Sequence, residues 1–211
     1  FFIYYSMFGF QRIGDLCWAA GDSRARGVML GGTAGRTTLN GEGLQHEDGH
    51  SHILASTIPN CISYDPTFSY EVAVIVQNGL QRMFVDQEDV YFYLTLMNEN
   101  YHHPEMPMGS EEGIIKGLYR MHKTAKPGKK HVNLMGSGTI LVHALKAAEM
   151  LKEDFGVTSD IWSATSLNEL VRDGQDCARH NRLNPLAEPK VPYVTQQLEG
   201  AKGPIIAATD Y

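Results

Sequence analysis

Between Gly41 and His52 the chain reads GEGLQHEDGHSH, which packs His46, His50 and His52 among Glu42, Glu47 and Asp48 and three glycines. Histidine is the side chain whose charge changes near neutral pH, and carboxylates beside it tune that change. These residue types therefore offer proton transfer or stabilisation of a developing charge. No hydrophobic period runs through the stretch, so it is neither an amphipathic helix nor a half-buried strand. Glycines that free the backbone, set among titratable groups, point to a shaped loop that presents chemistry. A plain solvated loop remains the competing reading. A structural zinc site is disfavoured: His46-x-x-x-His50 makes a metal face mainly on a helix, Gly49 opposes a helix there, and no cysteine lies nearby. No metal ligands are assigned.

The elements that must carry this loop follow from the rest of the 211 residues, which are 43% hydrophobic and 20% charged, ordinary values for a globular protein. A net charge of -6 argues against a nucleic-acid footprint, and no apolar run is long enough to span a membrane. Cys17, Cys61 and Cys177 are widely spaced and odd in number, which favours a reducing, cytoplasmic setting over a disulfide framework. The chain opens on FFIYY without a methionine or a basic leader and closes on IIAATDY; both ends look cut, so a fragment of a longer chain is expected.

Phe1 to Tyr5 reads as a short buried strand or an interface segment. Phe10, Ile13, Leu16, Cys17 and Ala20 give residues 8–20 a helical face with Gly21 as a stop, and Arg12 lies on that helix near Phe8. GVMLG (27–31) is a buried strand; the GGTAGRTT that follows lacks the ending of a P-loop. CISY is a strand, Asp65-Pro66 has the form of an N-cap and first turn for a helix through Leu80, and VYFYLTL (90–96) is a strand. A helix is expected over 110–123, a strand over 131–138, a helix over 139–155 ending at Gly156, and a strand over 157–164. Ser166 with Glu169 forms a capping-box pattern for a helix to about Arg182; VPYVTQQL is a short helix and PIIAATD a strand. Such alternation means α/β with a mainly parallel sheet. The basic, turn-forming KTAKPGKK marks a boundary, so residues 1–109 form one unit, 110–130 a helix and linker, and 131–211 a second unit.

The segments YYSMFGFQRIGDLCWAAGDSRARG, GGTAGRTTLNGEGLQHEDGHSH, IPNCISYDPTFSYEVAVIVQNGL and LMGSGTILVHALKAAEML resemble the homodimeric, bacterial-type decarboxylating subunits of pyruvate dehydrogenase complexes, thiamine-diphosphate enzymes of the transketolase type. The resemblance covers essentially the whole chain. It implies the back half of a pyrimidine-binding parallel-sheet domain followed by the first part of a transketolase-type C-terminal α/β domain. By the same resemblance, Tyr5 and Phe8 match positions that pack on the cofactor's aminopyrimidine ring, with Arg12 a further cofactor-side position. His46 matches an active-centre histidine and Glu42 an active-centre carboxylate, whereas Asp48 and His52 match substrate-side positions only in transketolase relatives. The family's Gly-Asp-Gly site for diphosphate and magnesium has no counterpart here, and its cofactor-activating glutamate falls before Phe1.

The implied function is decarboxylation of pyruvate with thiamine diphosphate and Mg2+, the acetyl group passing to a lipoyl group on the acetyltransferase component of the complex, by a homodimer. The piece alone is expected to be inactive. Two other functions stay open: another 2-ketoacid dehydrogenase or transketolase, and a non-catalytic α/β assembly module. Thiamine titration of a complete chain separates enzyme from module.

Overall fold

The computed structural model describes residues 1–39 and 41–211. The first half is a sheet of order β1-β2-β4-β3 with every pairing parallel, built from Phe2–Tyr5 (β1), Val28–Gly32 (β2), Cys61–Tyr64 (β3) and Tyr91–Thr95 (β4). Ser6–Asp22 (α1) and Ser51–Ser56 (α2) pack on one face, where Phe10, Cys17, Ala55, Ile58, Cys61, Tyr91 and Tyr93 form a core. Ser69–Leu80 (α3), which continues into a π-helical turn Gln81–Val85, covers the other face over Val28, Ile62, Ile75, Met83, Phe92 and Leu94. With both faces covered, the central strand β4 is buried at every residue, as its unbroken apolar and aromatic run requires.

The second half follows Glu111–Lys116 (α4). Its sheet has the order β5-β7-β6-β8, from Tyr119–His122 (β5), His131–Gly136 (β6), Thr158–Ser163 (β7) and Ile205–Ala208 (β8). β6 runs parallel to β7 and β8, and β5 antiparallel to β7. Gly138–Phe155 (α5) packs through Leu141 against Leu134 and Ile161. Leu167–Leu183 (α6) and Tyr193–Leu198 (α7) close the other face around Met135, Trp162 and Leu170. Ser166 caps α6, its hydroxyl accepting the Glu169 amide at 3.0 Å, as its sequence pattern indicates.

Three expectations are corrected. Of the two readings of Phe1 to Tyr5, a buried strand or an interface segment, the buried strand is the one that fails: β1 (Phe2–Tyr5) lies at the sheet edge, and Phe2 and Ile3 are 57% and 67% exposed. The helix expected over 110–123 stops at Lys116, because Gly117 takes φ +97° and a Cβ there would meet the Ser166 carbonyl oxygen at 2.4 Å. The residues beyond it form β5, so part of the stretch expected as linker is a strand of the second sheet. Asp65 does not cap α3. The helix begins at Ser69, and Glu71 accepts the Phe68 amide at 2.9 Å and the Thr67 amide at 2.5 Å.

Asp65 and Glu71 instead join the halves. Glu71 is buried and also accepts hydroxyls from Tyr119 and Ser163 of the second sheet, both at 2.7 Å. The Asp65 carboxylate accepts from Ser137 at 2.8 Å, its amide donates to the Thr165 carbonyl at 2.7 Å, and Ser166 donates to the Ser63 carbonyl at 2.6 Å. Buried carboxylates satisfied in this way hold two elements in one arrangement, since removing either partner strands the other.

Candidate functional site

The site lies beyond the C-terminal ends of β1 and β2, where open α/β sheets place their ligand crevices. Tyr5 ends β1, and Phe8 and Arg12 ride the first turns of α1. The long loop after β2 brings His46 back to them. The His46 ring stands edge to face with Tyr5 and Phe8, at 5.6 and 5.1 Å between centroids, and the Tyr5 and Phe8 rings are tilted to each other 5.8 Å apart. The Arg12 guanidinium lies 4.0 Å above the Phe8 ring. A Glu42 carboxylate oxygen is 3.3 Å from His46 Nδ1, with the side chains 52% and 27% exposed. Tyr5, Phe8, Arg12, Glu42 and His46, separated by up to 41 positions in the chain (46 − 5), are thus one open-faced cluster.

Asp48 and His52 belong to a different environment. Asp48 is fully buried, with one carboxylate oxygen accepting the His50 and Ser51 amides at 3.0 Å each and the other accepting the Ser51 hydroxyl at 2.5 Å and the Tyr211 hydroxyl at 3.2 Å. His52 lies on α2, wedged between the rings of Tyr93 and Tyr211 at 5.3 and 4.6 Å. Its Nε2 is 3.0 Å from the Thr95 hydroxyl, which donates to Asp65 at 2.6 Å. Burial lowers the His52 pKa to about 4 and raises that of Asp65 to about 7, the latter against hydrogen bonds from Thr95 and Ser137 that pull it down. A cavity of about 30 Å³, room for about one water molecule, lies between His52, Asp65, Ser137 and Tyr211. The substrate-facing positions expected for Asp48 and His52 are therefore interior positions, closed over by Tyr211.

Thr95, Asp65, Asp210 and Tyr211 shape this region and have no precursor among the expected site residues. Thr95 left one trace, as the lone aliphatic hydroxyl of the run 90–96. Asp65 was masked by a local pattern that fits a helix cap equally well. Nothing in the chain places Tyr211 beside residues 35–52.

The open cluster fits the flat part of a heteroaromatic cofactor: partly exposed ring edges are how proteins hold such rings, and a histidine with a carboxylate stands beside them. Among the described residues no group of three or more His, Cys, Asp or Glu side chains is arranged to hold a metal ion.

Two protein families match the chain: one described as "Pyruvate dehydrogenase E1 component middle domain" over residues 1–104, the other as "Transketolase-like TK C-terminal domain" over residues 117–211. The whole chain is 63% identical over 212 residues to the pyruvate dehydrogenase E1 component of Escherichia coli (strain K12). It is 61% identical over 211 residues to that of Pseudomonas aeruginosa. It spans 24% of the length of each. Among solved structures, transketolase from Campylobacter jejuni superposes with a TM-score of 0.70 at 13% identity, over 98% of this chain and 28% of that one. Transketolase from Leishmania mexicana does so with 0.70 at 16%, over 99% and 27%. At these identities the likeness is one of fold.

Proposed function

Because the chain belongs to the family of bacterial pyruvate dehydrogenase E1 components, we propose that it supplies the pyrimidine side of a thiamine-diphosphate site for the decarboxylation of pyruvate. The observation that carries this reading is the open cluster of Tyr5, Phe8 and His46 rings with Glu42 at His46 Nδ1.

In this reading Tyr5 and Phe8 pack their ring edges on the cofactor's aminopyrimidine, and Arg12 steadies the Phe8 ring from its far face. When bound, thiamine diphosphate supplies the electron sink that lets a 2-keto acid lose carbon dioxide. Glu42 beside Nδ1 favours a proton on that nitrogen and leaves Nε2 of His46 to accept or donate a second one. As imidazolium, His46 offers a hydrogen bond to a carboxylate or a developing oxyanion; as neutral imidazole, it accepts a proton. Asp48 and His52 act from inside, holding the loop rather than touching the substrate.

The diphosphate and Mg2+ are held by parts of the full-length protein outside these residues. The acetyl group passes to a lipoyl group of the acetyltransferase component. The enzyme works as a cytoplasmic homodimer, with the exposed apolar edge of Phe1, Phe2 and Ile3 covered in the assembly. The test is carbon dioxide release by the full-length protein with Mg2+ and thiamine diphosphate. Pyruvate with a lipoyl acceptor should turn over fastest; a clear preference for a longer 2-keto acid, or two-carbon transfer from a ketose phosphate to an aldehyde acceptor in a parallel assay without carbon dioxide release, would replace pyruvate in this proposal.

A further inference from the structure

The loop bearing Glu42 and His46 is gripped at both feet by two consecutive residues of the second half, Asp210 and Tyr211. On the first foot, one Asp210 carboxylate oxygen accepts the Arg36 and Thr37 amides at 3.0 and 3.1 Å, and the other accepts the Thr37 hydroxyl at 2.7 Å. The Gly35 amide donates to the Tyr211 hydroxyl at 3.2 Å. That same hydroxyl donates to Asp48 on the second foot at 3.2 Å, and the Tyr211 ring stands edge-on to His52 at 4.6 Å. Gly35 is shaped for the contact: it takes φ +80°, and a Cβ there would lie 2.6 Å from the Asp210 carboxylate.

The chemistry of each bond fits its place. A carboxylate facing two successive backbone N–H groups is a charge-assisted clamp, stronger than a neutral acceptor would be. A phenol that accepts from one foot and donates to the other fixes the distance between them. Asp48 in turn accepts two amides at the entry to α2, so the Tyr211 bond is passed on to the start of that helix. The aromatic side of the cluster owes nothing to this grip, because Tyr5 and Phe8 sit on β1 and α1. The second half is joined to the first through buried contacts of Asp65 and Glu71 that do not involve the loop.

We propose that Asp210 and Tyr211 are positioning residues, a latch by which the second half sets the placement of His46 and Glu42. This rests on the reading of that loop as part of the active centre. Loss of the latch should slow turnover without loosening the cofactor, since the ring-packing residues are untouched and only the proton-transfer side is displaced.

The test is made in the full-length protein with Asp210→Asn, Tyr211→Phe and, in parallel, His46→Ala. Asp210→Asn keeps one oxygen for the two N–H donors but removes its charge and turns an NH2 toward the Thr37 hydroxyl, so backbone hydrogen exchange at residues 35–52 should speed up by about tenfold or more. Pyruvate turnover (kcat) should fall by roughly 10- to 100-fold, with the thiamine diphosphate Kd within about twofold of the parent. Tyr211→Phe keeps the ring against His52 and loses only the bridge, so it should show the same pattern, weaker. Unchanged exchange at 35–52 in both variants would overturn the latch whatever the turnover. So would a loss of turnover and of cofactor affinity in equal measure, the mark of general destabilisation. Faster exchange with parental turnover would also overturn the positioning role. In that case His46→Ala tells which link failed: a slow His46→Ala leaves the active-centre reading standing, and a normal one removes it.

Discussion

His46 and His52 stand six positions apart in the chain (52 − 46), and they occupy opposite kinds of site. His46 is partly exposed, set against the edges of Tyr5 and Phe8, with a half-exposed carboxylate at one nitrogen. His52 is enclosed by tyrosines, hydrogen-bonded to a buried threonine, and held neutral down to about pH 4 by burial. A histidine that cannot gain a proton near neutral pH is a poor acid or base and a good structural element. Composition alone does not separate the two. The difference is made by α2, which begins at Ser51 and turns His52 toward β4, and by Tyr211, which closes over it.

The hardest test of that contrast removes the exposed imidazole. His46→Ala in the full-length protein should lower pyruvate turnover by roughly 10²–10³-fold, the usual loss for one proton-transfer or oxyanion group. The urea midpoint of unfolding should not move, because little packing is lost at a partly exposed ring. Near-parental turnover in steady-state assays would erase the distinction between the two histidines.

The buried side can be broken by pH. His52 has a folded pKa of about 4, below the ordinary 6.5, so the unfolded chain binds its proton first and the stability it contributes is lost as pH falls from 6.5 toward 4. Asp65 has a folded pKa of about 7 against an ordinary 3.8, so its contribution is full below 3.8 and lost as pH rises through 7. The two slopes oppose each other over the shared interval, and each masks the other. Asp65→Asn should unmask His52: relative to the parent, the variant's unfolding free energy should drop by up to about 3 kcal/mol between pH 6.5 and 4, at 1.4 kcal/mol per unit. Denaturant titrations at several pH values measure this. Parallel pH curves for variant and parent would show that the two groups are not opposed.

On the open side, Phe8→Ala should weaken thiamine diphosphate binding by about ten- to a hundredfold, equivalent to roughly 1–3 kcal/mol. Calorimetric titration with Mg2+ present gives the value. An unchanged Kd with the fold intact would make Phe8 ordinary packing for His46 and Arg12.

The alternation of elements was legible in the sequence because buried parallel strands read as continuous apolar runs, as in CISY and YFYLT, and because Gly156 and Ser166 mark helix ends by local chemistry. The open cluster was legible only through the family resemblance. No spacing rule brings Tyr5 to His46. The buried region was illegible for a physical reason: His52, Thr95, Asp65 and Ser137 are joined by tertiary hydrogen bonds across the two sheets, and each satisfies a local pattern of its own. Gly117 shows the same limit at smaller scale. Ile114, Ile115, Leu118 and Met121 continue a helical period, but left-handed Gly117 ends the helix among them, at a point where the Ser166 carbonyl, distant in sequence, leaves no room for a side chain.

The finest test concerns Arg12, which separates ring packing from charge recognition. Its guanidinium lies over the Phe8 ring at 4.0 Å, on an exposed turn of α1 just before the backbone departs from helical angles at Ile13. An exposed cation–π contact of this kind is worth about 0.5–1 kcal/mol. If its role is to hold Phe8 in place, Arg12→Leu should weaken the cofactor by about two- to fivefold, less than Phe8→Ala. Adding Arg12→Leu to Phe8→Ala should then change nothing further, because the ring it steadies is gone. The effect should also be nearly flat with salt, since the ring and the cation are in direct contact. An Arg12 that instead meets the cofactor's negative charge would behave differently on every count. Its loss would exceed that of Phe8→Ala, add to it in the double variant, and shrink as salt is raised. Kd values for the two single variants and the double, each at low and high salt, therefore decide whether the open cluster ends at its aromatic rings or extends to the charged part of the ligand.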